Sequence, residues 1–188
     1  MELSIDSEHP ERNKINIFFH NLWSFDGHIL MQALGHVKSG KLNCIPNNME
    51  KYMTINLGQL HFRDSFQHLN TSLGNLVEGL PKDKFIITPR HIVKHADLLM
   101  RKGVYPYDYM DSFNKFDETE LPCKEAFYNN LTKSEITDAE YDHAKLVWNR
   151  FGVRNMGEYH DLYLQSDVLL LADVFEAYRD TSMKDYGL

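Results

Sequence analysis

The sequence predicts a layered fold of the α/β or α+β class. Three observations lead there: strand-like segments rich in β-branched and aromatic residues come early, helical periodicity dominates the later part, and one short polar turn joins a strand directly to a helix. A chain of 188 residues with 43% hydrophobic and 25% charged residues has the composition of an ordinary globular domain, which excludes disorder and collagen. No apolar run approaches the roughly 20 residues a membrane span needs, and the polar, acidic start lacks the basic and apolar regions of a secretory signal, so no membrane partner is expected and the chain reads as intracellular.

Residues 1–14 read as a polar leader interrupted by Pro10, without regular structure, and residues 15–188 as one partial domain. Ile15-Asn16-Ile17-Phe18-Phe19 reads as a buried strand. From Asp26 the pattern turns helical, with Ile29, Leu30, Ala33, Leu34 and Val37 at three- and four-residue spacing and Gly40 as a stop. Tyr52-Met53-Thr54-Ile55 and Leu60-His61-Phe62 flank a Gly-containing turn and read as a hairpin. Residues 72–78 predict a short helix, and Pro89 predicts a longer one running through Ile92, Val93, Ala96, Leu99 and Met100 to Gly103. Residues 105–128, rich in aromatics and acids, predict an ordered but irregular segment. Thr137 opens a helix whose first turn carries Asp138 and Glu140, where carboxylates suit the helix dipole, and Gly152 closes it. The last helix is predicted from about Tyr159, with Leu164, Val168, Leu171 and Phe175 as its apolar stripe.

The 20 Lys and Arg residues against 27 Asp and Glu give a net charge of −7. That balance argues against a protein held to nucleic acid by bulk charge alone and leaves a localised contact surface as the alternative. Cys44 and Cys123 are too far apart for a Cys-x-x-Cys pair and read as reduced packing residues. His91 and His95 have a zinc-compatible i, i+4 spacing on the predicted helix, but no third ligand accompanies them. Asp117, Glu118 and Glu120 read as a solvated loop.

Two carboxylates carry more information. Asp26 follows a strand by a few residues, where it reads either as the cap of the next helix or as an acid displayed at the carboxyl end of a sheet. Tyr163 and Asp167 are four apart and share a helix face. An acid beside apolar residues either sits exposed at the margin of the stripe or meets a metal, a cation or a set of donors, because an unpaired buried carboxylate is costly.

Asn21-x-x-x-Phe25-Asp26, followed 141 residues later by Tyr163-x-x-x-Asp167, resembles the second and third exonuclease motifs of family B DNA polymerases, in particular the protein-primed branch of organellar, viral and mobile-element type. Tyr105-Pro106-Tyr107-Asp108-Tyr109-Met110-Asp111-Ser112-Phe113 and Tyr159-His160-Asp161-Leu162-Tyr163-Leu164 look like the variant found in large self-synthesising transposons. The resemblance implies a ribonuclease-H-like fold that removes nucleotides from the 3′ end of single-stranded DNA with two divalent ions, Mg²⁺ or Mn²⁺, about 3.5–4 Å apart. It implies Asp26 and Asp167 as metal-ligating carboxylates, Tyr163 as the residue orienting the attacking water, and Asn21 and Phe25 as contacts to the terminal nucleotides. Ser65, Phe66 and Leu69 resemble a Ser/Thr-Leu-x-x-hydrophobic motif that holds the strand, with Phe66 replacing Leu. Lys102 and Tyr107 resemble a Lys-x-x-hydrophobic-x-Tyr/Ala motif near the scissile phosphate.

The first exonuclease motif of that family, Asp-x-Glu, has no counterpart before Ile15, and the palm signatures are not found. The expectation is a fragment covering the proofreading region, with its first strands missing and little or no nuclease activity of its own. The parent enzyme would be a DNA-directed DNA polymerase primed by a terminal protein. The alternatives are a non-catalytic single-stranded-DNA-binding or structural remnant of a mobile element and an acidic interaction domain.

Overall fold

The computed structural model describes residues 14–22, 26–37, 42–46 and 52–187, with the side chains of residues 26, 45, 46 and 52–54 outside the description. The chain forms two compact units, one up to Thr71 and one from Ser72. Mixed α/β structure is present, as the sequence predicts. The expected leader, residues 1–14, lies outside the described residues except for Lys14.

The first unit is a four-stranded sheet in the order β1-β4-β3-β2, with β1 Ile15–Phe19, β2 Leu42–Pro46, β3 Tyr52–Leu57, β4 Leu60–Asp64 and one helix, α1 Asp26–Gly35. The β3–β4 hairpin is tighter than expected, because Asn56 and Leu57 extend β3 and only Gly58 and Gln59 turn the chain. Gly58 sits at φ +56°, a region where a residue without Cβ turns at no steric cost. β2 is a strand the sequence does not announce, since Asn43 and Pro46 mask its pattern.

β1 was expected to be buried, and instead its side chains alternate between half-buried and exposed, with Phe18 39% exposed. Among the described residues it is hydrogen-bonded on one side only, as the parallel neighbour of β4 in the register Ile15↔Leu60 to Phe19↔Asp64. Leu22, Leu34, Ile55 and Phe62 form this unit's core. Cys44 packs on it, while Cys123, in the other unit, is exposed and corrects the expectation of two packing cysteines.

The second unit is built on a 31-residue helix, α5 Met156–Tyr186, capped by Asn155, whose side chain accepts from Glu158 N. It starts three residues before Tyr159. α4, Asp138–Phe151, has the predicted Thr137 cap, completed into a capping box by Glu140, and ends at left-handed Gly152. α2, Leu73–Glu78, is capped by Ser72. Residues 105–128 are irregular apart from two 3₁₀ turns, Phe113–Asp117 and Lys124–Phe127. Glu118 is less solvated than expected: its carboxylate meets Tyr109 Oη at 2.5 Å and Lys115 Nζ at 3.0 Å, and its carbonyl accepts from Met156 N at 2.8 Å.

Two expectations are corrected here. The long helix after Pro89 does not form: α3 is Ile87–His91, Pro89 lies inside its first turn where proline is tolerated, and the chain breaks at Ile92 before a 3₁₀ turn at Ala96–Leu99. Ile92 and Leu99 are both buried, so the apolar spacing serves two short pieces rather than one helix face, and Val93 is 86% exposed. His95 sits at φ +60° after the helix has ended, so the i, i+4 relation to His91 is lost. The apolar stripe of α5 is also displaced. Leu164 and Val168 are 54% and 60% exposed, and the buried face runs through Tyr159, Ser166, Leu169, Leu170, Asp173 and Val174.

That face includes a fully buried carboxylate because Asp173 does the capping that α3 cannot do for itself. Ile86, at the N-cap of α3, offers no side-chain acceptor. Asp173 Oδ1 accepts from Ile86 N at 2.7 Å and Ile87 N at 2.6 Å, and Oδ2 from Thr88 N at 3.0 Å and Thr88 Oγ1 at 2.6 Å. Four donors satisfy a charge that burial would otherwise make costly. Replacing Asp173 with alanine leaves those donors buried and unpaired, so Asp173→Ala is expected to lower the unfolding free energy by about 3 kcal/mol or more, read as a shift in urea midpoint. A loss below about 1 kcal/mol would show that the cap carries little.

Candidate functional site

In the first unit, the parallel register ends with Phe19 opposite Asp64, which brings the residues following both strands together at the carboxyl edge of the sheet. Asn21 is there in the left-handed conformation, φ +67°, and donates its N–H to Asp64 Oδ1 at 2.8 Å, an oxygen that also accepts from Phe66 N at 3.0 Å. Asp64, 3% exposed, thus ties Asn21 to Phe66. Ser65 is fully buried, its hydroxyl donating to Phe19 O at 2.7 Å. His20 places Nδ1 3.0 Å from Ser65 Oγ and Nε2 2.8 Å from the Thr71 carbonyl. The Phe66 ring meets the His20 ring edge-on at 5.4 Å, and Leu69, half-buried, closes the turn with its N–H on Ser65 O at 2.9 Å.

Four of the residues matched by motif, Asn21, Ser65, Phe66 and Leu69, therefore lie in one hydrogen-bonded corner. Ser65 has its hydroxyl committed inside the protein, whereas Phe66 is half-buried. Asp26 opens α1 as the first residue of the helix. Its side chain and Phe25 lie outside the described residues.

In the second unit, two segments more than 50 residues apart converge. Lys102, Gly103 and Tyr105 to Tyr107 run against one face of α5 that carries Tyr159, His160, Tyr163 and Asp167. Lys102 Nζ donates to Asp167 Oδ2 at 2.5 Å and to the Tyr163 hydroxyl, and lies 4.1 Å from the centre of the Tyr163 ring. The Tyr163 and Tyr107 hydroxyls are 2.5 Å apart. The approach is close at Gly103, where a Cβ would stand 3.5 Å from the Tyr163 ring. Tyr105 supports the cluster from behind: its ring stacks on Tyr163 at 4.9 Å, and its hydroxyl bonds His160 Nδ1 at 2.8 Å.

The acid that the sequence left in want of a partner has found a cation. Lys102 and Asp167 are both mostly buried, with 29% and 24% of their side chains exposed. Burial lowers the Lys102 pKa, and the charge and hydrogen bond of Asp167 oppose that fall. Burial, reinforced by the Asp167 charge, pushes the Tyr163 phenol far above the ordinary range, so it is a neutral hydroxyl at any working pH. Tyr107, 55% exposed, also has its pKa raised by burial, with the Tyr163 hydrogen bond pulling the other way.

Asp167 Oδ1 is buried and has no hydrogen-bond partner among the described residues, which leaves one oxygen able to take a further cation. No three His, Cys, Asp or Glu side chains gather into a metal-binding group among the described residues. One carboxylate already holding an ammonium does not by itself fit a two-ion centre. What this cluster offers is a buried ammonium and two hydroxyls, a donor set suited to a phosphate, next to an exposed aromatic ring suited to stacking.

Tyr105, His160 and Asp64 were not singled out from the sequence. All three stood inside or beside phrases noted only for their resemblance.

The Lys102–Asp167 pair has a consequence for titration. Because the folded pKa of Lys102 lies below its unfolded value, the unfolded chain holds more protons between the two, and stability attributable to this group rises as pH climbs through that window toward about 10.4. Asp167→Asn removes the opposing charge and lowers the amine further. Acylation of Lys102 at pH 8, read by mass spectrometry, is expected to accelerate several-fold in that variant relative to exposed Lys184. Unchanged labelling would mean that the pair does not hold in solution.

The family described as DNA polymerase type B, organellar and viral, matches residues 8–186. No curated protein matches the chain, and no solved structure does.

Proposed function

This chain belongs to the family of organellar and viral type B DNA polymerases, and from that premise we propose that it forms the ribonuclease-H-like 3′–5′ exonuclease region of such an enzyme and holds the 3′ end of single-stranded DNA. The observation that carries this reading is the convergence of Lys102, Tyr107, Tyr163 and Asp167 on one another. These are the residues that two separate motif resemblances select, and no spacing rule requires them to meet. Lys102 supplies positive charge to a phosphate, the Tyr107 ring supplies a stacking surface, and the neutral Tyr163 hydroxyl supplies a donor or acceptor for a water or sugar oxygen. Taken by themselves, Asn21, Phe66 and Leu69 give the first unit a strand-contacting corner of its own.

The same cluster favours holding the strand over cutting it. Lys102 occupies one oxygen of Asp167, and a carboxylate so neutralised is a poor site for the divalent chemistry that trimming needs. Mg²⁺-dependent release of nucleotides is therefore expected to be weak.

Fluorescence anisotropy with 5′-labelled oligothymidylate tests the reading. Linear strands with a free 3′ end are expected to bind more tightly than circular single strands; Tyr107→Ala is expected to weaken binding about tenfold, in line with about 1–3 kcal/mol for a stacked base, and Lys102→Ala to weaken it and flatten its salt dependence through loss of a phosphate contact. Equal affinity for linear and circular strands overturns the 3′-end assignment. Rapid Mg²⁺-dependent degradation, abolished in Asp26→Ala and in Asp167→Ala, overturns the preference for holding over cutting.

A further inference from the structure

The second unit contains a segment tied to α5 at both ends by carboxylates. Asp173 holds Ile86, Ile87 and Thr88 at one end, and Asp167 holds Lys102 at the other. The two anchors are six positions apart on the helix, about 9 Å along its axis, so the intervening strap of residues 86–102 begins and ends close to the site.

The strap and its approach carry charge of the opposite sign to the chain as a whole. Residues 82–102 hold six cations, Lys82, Lys84, Arg90, Lys94, Arg101 and Lys102, against Asp83 and Asp97, a net +4 in a chain of net −7. Lys84 pairs with Asp180 at 3.7 Å and Lys102 with Asp167. Arg101 lies within the electrostatic influence of Glu140. Lys82, Arg90 and Lys94 are exposed and enter no ion pair among the described residues, as is also true of the scattered Lys133, Arg150 and Lys184, whereas Lys115, Lys124, Lys145, Arg154 and Arg179 each have an acidic partner. His91, also exposed, lies between Arg90 and Lys94.

We propose that the strap tracks the phosphate backbone of the bound single strand through Arg90 and Lys94, with Lys82 continuing the path. The proposal rests on the reading of the Lys102–Asp167 cluster as a single-strand site and adds to it the element that supplies affinity beyond the terminal nucleotide. The ends of the strap are fixed by hydrogen bonds and an ion pair, so its cations are carried on a segment tethered at both ends instead of on a free tail. Exposed cations without acidic partners give up no internal ion pair on meeting phosphate, and each phosphate neutralised releases condensed counterions.

The test is the salt dependence of binding to a 20-nucleotide oligothymidylate by the full chain, comparing wild type with Arg90→Ala/Lys94→Ala and with Lys133→Ala/Arg150→Ala, two exposed cations elsewhere in the same unit. The control removes the same charge. The strap variant is expected to lose about 1.4 units of slope in log K against log salt, roughly 0.7 for each phosphate contact, while keeping its preference for a free 3′ end. The control is expected to keep the wild-type slope. Equal loss of slope in both pairs means the effect is net charge and overturns the proposal, as does an unchanged slope in the strap variant when the wild type binds. Wild-type chain that binds no single strand at low salt overturns the underlying reading instead. Equal urea midpoints for the three proteins exclude unfolding as the cause.

Discussion

The second unit is organised by one side chain, Asp173, whose carboxylate takes four hydrogen bonds in a place no water reaches. A charge so placed is tolerated only with all its donors present, which makes the contact close to all-or-none. It fixes where α3 starts, and by fixing one end of the segment leading to Lys102 it narrows where the other can lie. The core of Ile92, Leu99, Tyr105, Ala144, Val147, Met156, Tyr159 and Leu169 then supplies apolar burial that is permissive about register, with the polar contact supplying the register itself.

The first unit uses the same device in a smaller space. Parallel pairing of β1 with β4 sets two strand ends side by side, and Asp64 uses the unpaired N–H groups there to join them. The left-handed turn at Asn21, a conformation asparagine tolerates better than most residues, is held by that bond. In both units a buried acid gathers backbone donors from another segment of the chain.

The legibility of these features in the sequence follows their range. Elements defined by local chemistry were readable: the Thr137 cap and Gly152 stop of α4, the short helix α2, and the hairpin around Gly58. The pairing of Tyr163 with Asp167 on one helix face was readable too, and so was the demand of Asp167 for a partner, because both follow from a 3.6-residue period and the cost of an unpaired charge. That Lys102 would be the partner was not legible, since 65 residues separate the two. The α5 stripe was misread for a related reason. Leu164 and Val168 are apolar and evenly spaced, yet the face that packs contains Ser166 and Asp173, and only their distant partners make those residues acceptable inside. The helix expected after Pro89 failed because its period was satisfied equally well by two short pieces anchored elsewhere.

Lys102 can also be regarded as a counter-ion on a leash. A tethered group competes at an effective concentration in the millimolar range or above, set by its linker and not by the solution. The ammonium on Asp167 therefore competes with any mobile cation for the same oxygen. A ligand that satisfies Asp167 and simultaneously gives Lys102 a new anion can exchange both partners at once. Binding of a phosphate and binding of a cation at this cluster are therefore linked, each easing the other.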